Sequence, residues 1–105
     1  MSPDSKLYVV VRDTLSAGLK AAQACHALRA FVGEYPVIDA EWHRDSNNIA
    51  ILEYPDLDGL AARLEQHGMA LSRFHEPDQD GDLTAICVTP VAKRMLRHLP
   101  LACAA

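Results

Sequence analysis

Short runs of apolar residues alternate along this chain with stretches of helical period, and the alternation sets the expected architecture. Lys6–Arg12, reading K-L-Y-V-V-V-R, is a near-continuous β-rich run bounded by polar residues, the pattern of a central strand buried on both faces. Residues 16–32 form the longest segment with a clean helical period. At ~100° per residue, Ala21, Ala24, Cys25, Leu28, Phe31 and Val32 fall on one stripe, expected to face the core. Leu19, Gln23, His26 and Ala30 lie on roughly the opposite side, expected to face solvent, a partner or a substrate. Ser16 can cap the helix by accepting from an orphan N–H, and Gly33 can stop it.

An irregular connection is expected over 33–47, where Pro36 and an S-N-N turn signal occur and Trp42 packs beneath the loop. Asn48–Tyr54 reads as a second strand, ended by Pro55. Asp56 or Asp58 can cap a second helix to about His67, burying Leu57, Leu60, Ala61 and Leu64, with Gly68 as its stop. A third, half-buried strand over 69–75 leads into a turn-rich acidic loop, 76–82. The fourth strand spans 83–89; Pro90 breaks it, and a short basic helix follows over 91–99. The order β-α-β-α-β-β-α predicts one α/β domain, residues 1–105, built in three layers as a mixed four-stranded sheet flanked by helices. Strands joined through helices should run parallel, and the last pair antiparallel. If the first and third strands are parallel, their C-terminal ends share an edge with the start of the long helix, loop 76–82 and Thr84. Open α/β sheets bind ligands at such edges.

Charge narrows the partners. The net charge is −4, and the Lys and Arg residues are scattered apart from a small cluster at Lys93, Arg94 and Arg97, which argues against an extensive phosphate-binding face. No apolar run approaches the ~20 residues of a membrane span, and the polar N-terminus leads straight into a strand, so no signal peptide is expected. Cys25, Cys87 and Cys103 form no C-x-x-C pair, which fits free thiols in a reducing, cytoplasmic setting; Cys25 and Cys87 occupy core-like positions. The D-x-D-G-D loop lacks the spacing of a calcium site, and His43, His67, His75 and His98 show no ligand spacing, so no metal or cofactor is expected.

V-V-V-R-D, then A-A-Q-A-C-H-A, then L-T-A-I-C-V-T-P resemble the type-2 peptidyl-tRNA hydrolases, in order and along nearly the whole chain. The resemblance implies a mixed four-stranded sheet, a homodimer, and hydrolysis of the ester joining a stalled peptide to the 3′ end of tRNA. It assigns substrate contacts to Gln23, His26 and Arg12, and places Thr84 at the family's threonine. Two positions depart from the family. Its lysine, four residues before the glutamine, is Leu19 here, with Lys20 next to it; the loop before the last strand is H-E-P-D-Q-D-G-D, without Arg or Thr. Ester hydrolysis needs a held water, a group to orient it and positive charge for the oxyanion. Lys20 is therefore expected at the oxyanion or terminal phosphate, Glu76 or Asp78 at the water, and Gln23 and Thr84 in positioning roles. Besides the tRNA-linked ester hydrolase, the acidic charge and Leu19 leave open a non-catalytic binding module on this fold, and an esterase for a small-molecule ester.

Overall fold

A computed structural model describes residues 1–103. Its elements are β1 (Lys6–Arg12), α1 (Ala17–Glu34), α2 (Pro36–Asp45), β2 (Asn48–Tyr54), α3 (Leu57–Gln66), β3 (Leu71–Glu76), β4 (Asp82–Val88) and α4 (Lys93–Leu96). The sheet order is β2-β1-β4-β3. β1 runs parallel to β2, in register from Lys6 opposite Asn48 to Arg12 opposite Tyr54, and β4 is antiparallel to both β1 and β3. β1, β2 and β3 therefore point the same way. Their C-terminal ends and the start of β4 form one edge, as the element order implies.

The alternation of β1 divides the core. Leu7, Val9 and Val11 pack beneath α1 and α2 with Ala24, Ala27, Phe31 and Trp42. Tyr8 and Val10 pack on the opposite face against Leu57, Leu60, Ala61 and Leu64 of α3 and Leu96 of α4. Three layers result. No helix among the described residues is long and apolar enough to cross a membrane.

Three expected boundaries need correction. The connection 33–47 contains a full helix, α2, because Pro36 stands in its first turn, where the missing N–H costs nothing. Trp42 is buried as expected, and its indole donates to Asn48 O at 2.8 Å. α1 continues through Gly33 and stops at Tyr35, whose N–H returns to Phe31 O and whose conformation is restricted by Pro36. At the other end, the basic helix is only the short α4, entered through a 3-10 turn at Pro90–Ala92. Pro100 ends helical winding, and the chain then pairs along the outer edge of β2, with Glu53 N–H donating to Pro100 O and Ala102 N–H to Ile51 O.

The largest correction concerns the face of α1. Gln23, Ala24, Ala27 and Phe31 are buried, whereas Ala21 and Cys25 are exposed. The helix is rotated by roughly one residue step, ~100°, from the orientation its apolar stripe predicts. It lies across β1, β4 and β3, which leaves the strip above β2 open. There Ile49 and Ile51 are 45% and 38% exposed. Cys25 is consequently a surface thiol, while Cys87 is fully buried, its thiol held above the usual range by burial.

This orientation has a stability signature. Phe31→Ala should cost ~3–5 kcal/mol, the loss expected for a fully buried aromatic, while Cys25→Ala should stay within about half a kcal/mol. Urea denaturation of the two variants reads the difference, and the reverse order would contradict the observed face.

Candidate active site

The rotation of α1 sends an amide into the core. Ser16 caps the helix, its hydroxyl accepting from Leu19 N–H at 3.4 Å, and two turns later Gln23 points down between β4 and the end of β3. Gln23 is only 3% exposed, and both of its polar ends are matched. Its Oε1 accepts from the Thr84 hydroxyl at 2.8 Å, and its Nε2 donates to Glu76 Oε2 at 2.8 Å. Thr84 is fully buried, so its hydroxyl acts through Gln23.

Glu76 closes β3 and caps the following 3-10 turn, Pro77–Gln79, its second oxygen accepting from Asp78 N–H at 3.1 Å. Asp80 and Gly81, with φ of 56° and 75°, turn the chain back into β4, and Gly81 N–H donates to Glu76 O. The Glu76 carboxyl is held below its ordinary 4.5, first by the Gln23 amide, then by Asp78 N–H and the nearby charge of His26, with burial opposing. Of the two carboxylates considered for the water, the structure joins Glu76 to Gln23; Asp78 contributes its backbone, and its side chain is exposed.

His26 is exposed and stacks on Phe74 of β3, ring centroids 4.5 Å apart and planes 12° from parallel. Arg12 donates through Nη2 to Leu83 O at 2.9 Å and pairs through Nη1 with Asp82 at 3.4 Å. Arg12 Nε and Asp13 Oδ1 are buried without a hydrogen-bond partner among the described residues. Those two unpaired atoms lie at the C-terminal end of β1, in the middle of the edge.

Lys20 stands apart from the amide network. Its Nζ binds Glu53 Oε2, at the end of β2, at 2.6 Å. The ammonium is held above its ordinary 10.5, first by this hydrogen bond, with burial opposing and the charges of Glu53, Cys103 and Asp13 supporting. Three strand spacings, about 14 Å, separate β2 from β3, so the Lys20–Glu53 pair and the Glu76 carboxylate stand toward opposite sides of α1. Sequence reasoning missed Glu53 and Phe74. The period-two pattern could have revealed Glu53, because it places Ile49, Ile51 and Glu53 on the α1 side of the sheet. Among the described residues, no group of three or more His, Cys, Asp or Glu is placed to hold a metal ion.

The edge thus combines an ionised carboxylate fixed by a buried amide and hydroxyl, an ammonium, and a guanidinium. Such a set can orient a water and meet negative charge. The family model for Peptidyl-tRNA hydrolase PTH2 matches residues 5–100 of the 105-residue chain, and the chain belongs to that family. No curated protein is similar enough in sequence to match it.

The amide network has a pH signature. Because folding lowers the Glu76 pKa, its contribution to stability is complete above its ordinary 4.5 and is lost as pH falls through the folded value. Gln23→Leu should move the Glu76 carboxyl upward toward 4.5, read by NMR titration of its side-chain carbon. The same variant should cost ~1–3 kcal/mol at neutral pH by orphaning the Thr84 hydroxyl. An unmoved carboxyl would show that Gln23 does not hold it.

Proposed function

We propose that the protein hydrolyses the ester between an N-blocked aminoacyl or peptidyl group and the 3′ end of tRNA. The observation that carries this reading is the buried Thr84–Gln23–Glu76 relay, which ends in an ionised carboxylate at the cleft. Glu76 accepts a hydrogen bond from the attacking water and orients it toward the ester carbonyl. Water oxygen forms the new bond to the carbonyl carbon, the bond from that carbon to the ribose 3′ oxygen breaks, and the leaving oxygen takes up a proton. The products are a free peptide acid and tRNA.

In this reading Thr84 and Gln23 are positioning residues, since neither reaches the cleft surface. Lys20 supplies positive charge to the terminal phosphate or the developing oxyanion. Arg12 contacts substrate at the middle of the edge, and His26 on Phe74 offers an aromatic ring at its rim. The acidic balance, −4 overall, means that tRNA is held by few cationic contacts rather than a broad basic face.

The same reading includes a homodimer in the cytoplasm. Its support is the apolar strip left beside α1, where Cys25, Leu28, Ile49 and Ile51 line a groove, together with three free cysteines. Ile51→Asp should then yield a folded monomer by sedimentation where the unaltered protein sediments as a dimer; equal sedimentation would remove the groove from the interface.

Deacylation of N-acetyl-aminoacyl-tRNA tests the activity directly. Glu76→Gln should lower turnover by about two to three orders of magnitude, and Lys20→Ala by about one to three, the range for losing one group that orients or stabilises. Wild-type turnover at the buffer rate would sink the hydrolase reading and leave a binding module. Cleavage of small esters but not of the tRNA ester would make it a general esterase.

A further inference from the structure

Lys20 and Glu53 stand on facing walls. Lys20, Ala24 and Leu28 follow one line down α1, while Ile49, Ile51 and Glu53 alternate onto the same face of β2. The apolar groove runs between these walls over Val9, and the ion pair bridges its end at the C-terminal edge of the sheet. Both side chains are mostly out of water, 12% and 24% exposed, so an ammonium there without a counter-ion would bear a desolvation cost. Asp13 adds a second negative charge acting on Lys20, and its Oδ1 is buried without a partner among the described residues. Around this cation the fold places more negative charge than positive. That is an unusual setting for a group meant to attract phosphate.

We propose that Glu53 is an intramolecular counter-ion which the substrate's terminal phosphate must displace from Lys20, so that Glu53 sets the affinity for the nucleotide end. The proposal rests on the reading that Lys20 meets a substrate phosphate. Position favours a phosphate over the oxyanion. The pair closes β2, three strand spacings or about 14 Å across the sheet from β3, whereas the reacting carbonyl must sit within hydrogen-bond reach of a water on Glu76 at the end of β3. Lys20 carries three donors, and exchange of its carboxylate partner for a phosphate leaves the ammonium paired throughout. Glu53 therefore tempers binding: it keeps the ammonium paired in the free site and admits only a ligand that competes with a hydrogen-bonded carboxylate.

Glu53→Gln keeps an acceptor for Nζ and removes the charge, which isolates this effect from simple positioning. The probe is the single-stranded trinucleotide CCA, titrated into the purified protein and followed by NMR amide shifts at several salt concentrations. The variant should bind CCA about two- to fivefold more tightly, the scale of a partly exposed ion pair. Its affinity should also fall more steeply with salt, because in the unaltered protein the Glu53 carboxylate released from Lys20 takes up a cation that offsets part of the counterion release from the phosphate, and the variant has no such charge. With N-acetyl-aminoacyl-tRNA the gain should appear in KM rather than kcat. It should vanish when Lys20→Ala is added, and Glu53→Asp, which keeps the charge, should bind as the unaltered protein does. Equal or weaker binding by Glu53→Gln overturns the proposal, as does a gain that survives loss of Lys20. A Lys20-dependent gain in a protein without ester hydrolysis would uphold it while removing the hydrolase reading; normal hydrolysis with no gain would do the reverse.

Discussion

Gln23 places a polar amide where the helix meets the sheet, and each end of that amide has one partner: the Thr84 hydroxyl from β4 and the Glu76 carboxylate from the end of β3. An unpaired amide in that position would cost more than an apolar side chain, so the three groups stand or fall together. The arrangement fixes how far α1 is turned about its axis. It also holds the first turns of α1 over the C-terminal edge of the sheet, and keeps Glu76 charged and aimed. Packing of Ala24, Ala27 and Phe31 supplies the stability of this contact, while the amide supplies its register.

Turning α1 toward β4 and β3 has a consequence on its other flank. The part of the apolar stripe that holds Ala21 and Cys25 is lifted off the sheet, and β2 keeps Ile49 and Ile51 exposed beneath open space. One helix therefore carries two apolar functions, a core contact and an unsheathed surface. A wheel projection cannot separate the two, because it records which residues are apolar and not which of them meet the sheet.

That is also why the fold was more legible than the site. β1 and β2 could be bounded to the residue because continuous β-branched runs framed by polar residues have no competing reading, and the parallel and antiparallel pairings follow from connection length. α2 was hidden by Pro36, whose place in a first turn looks like a loop signal in isolation. For the site, Gln23 and Thr84 were singled out through the resemblance and Glu76 only as one of two carboxylates beside Asp78, and Gln23 appeared as a surface group because polarity alone implies exposure. Its burial depends on partners more than fifty residues away along the chain, which no local period encodes. Phe74 beneath His26 was unreadable for the same reason.

The displaced lysine now has a structural context. Leu19 is four residues before Gln23 and shares its line on the helix, so its side chain leans toward the β4 side of the cleft and is 42% exposed there. A step of ~100° moves the next side chain across the helix axis toward β1 and β2. At that bearing Lys20 meets Glu53, the last residue on the α1 face of β2 before the strand ends, and comes within range of Asp13. A lysine at position 19 would have had no such partner on β2, and Glu53 without Lys20 would be a largely desolvated carboxylate facing an apolar groove. The shifted lysine and the β2 glutamate are thus two halves of one arrangement. Their pairing divides the edge into a carboxylate side over β3 and β4 and an ion-paired side over β1 and β2, with α1 between them.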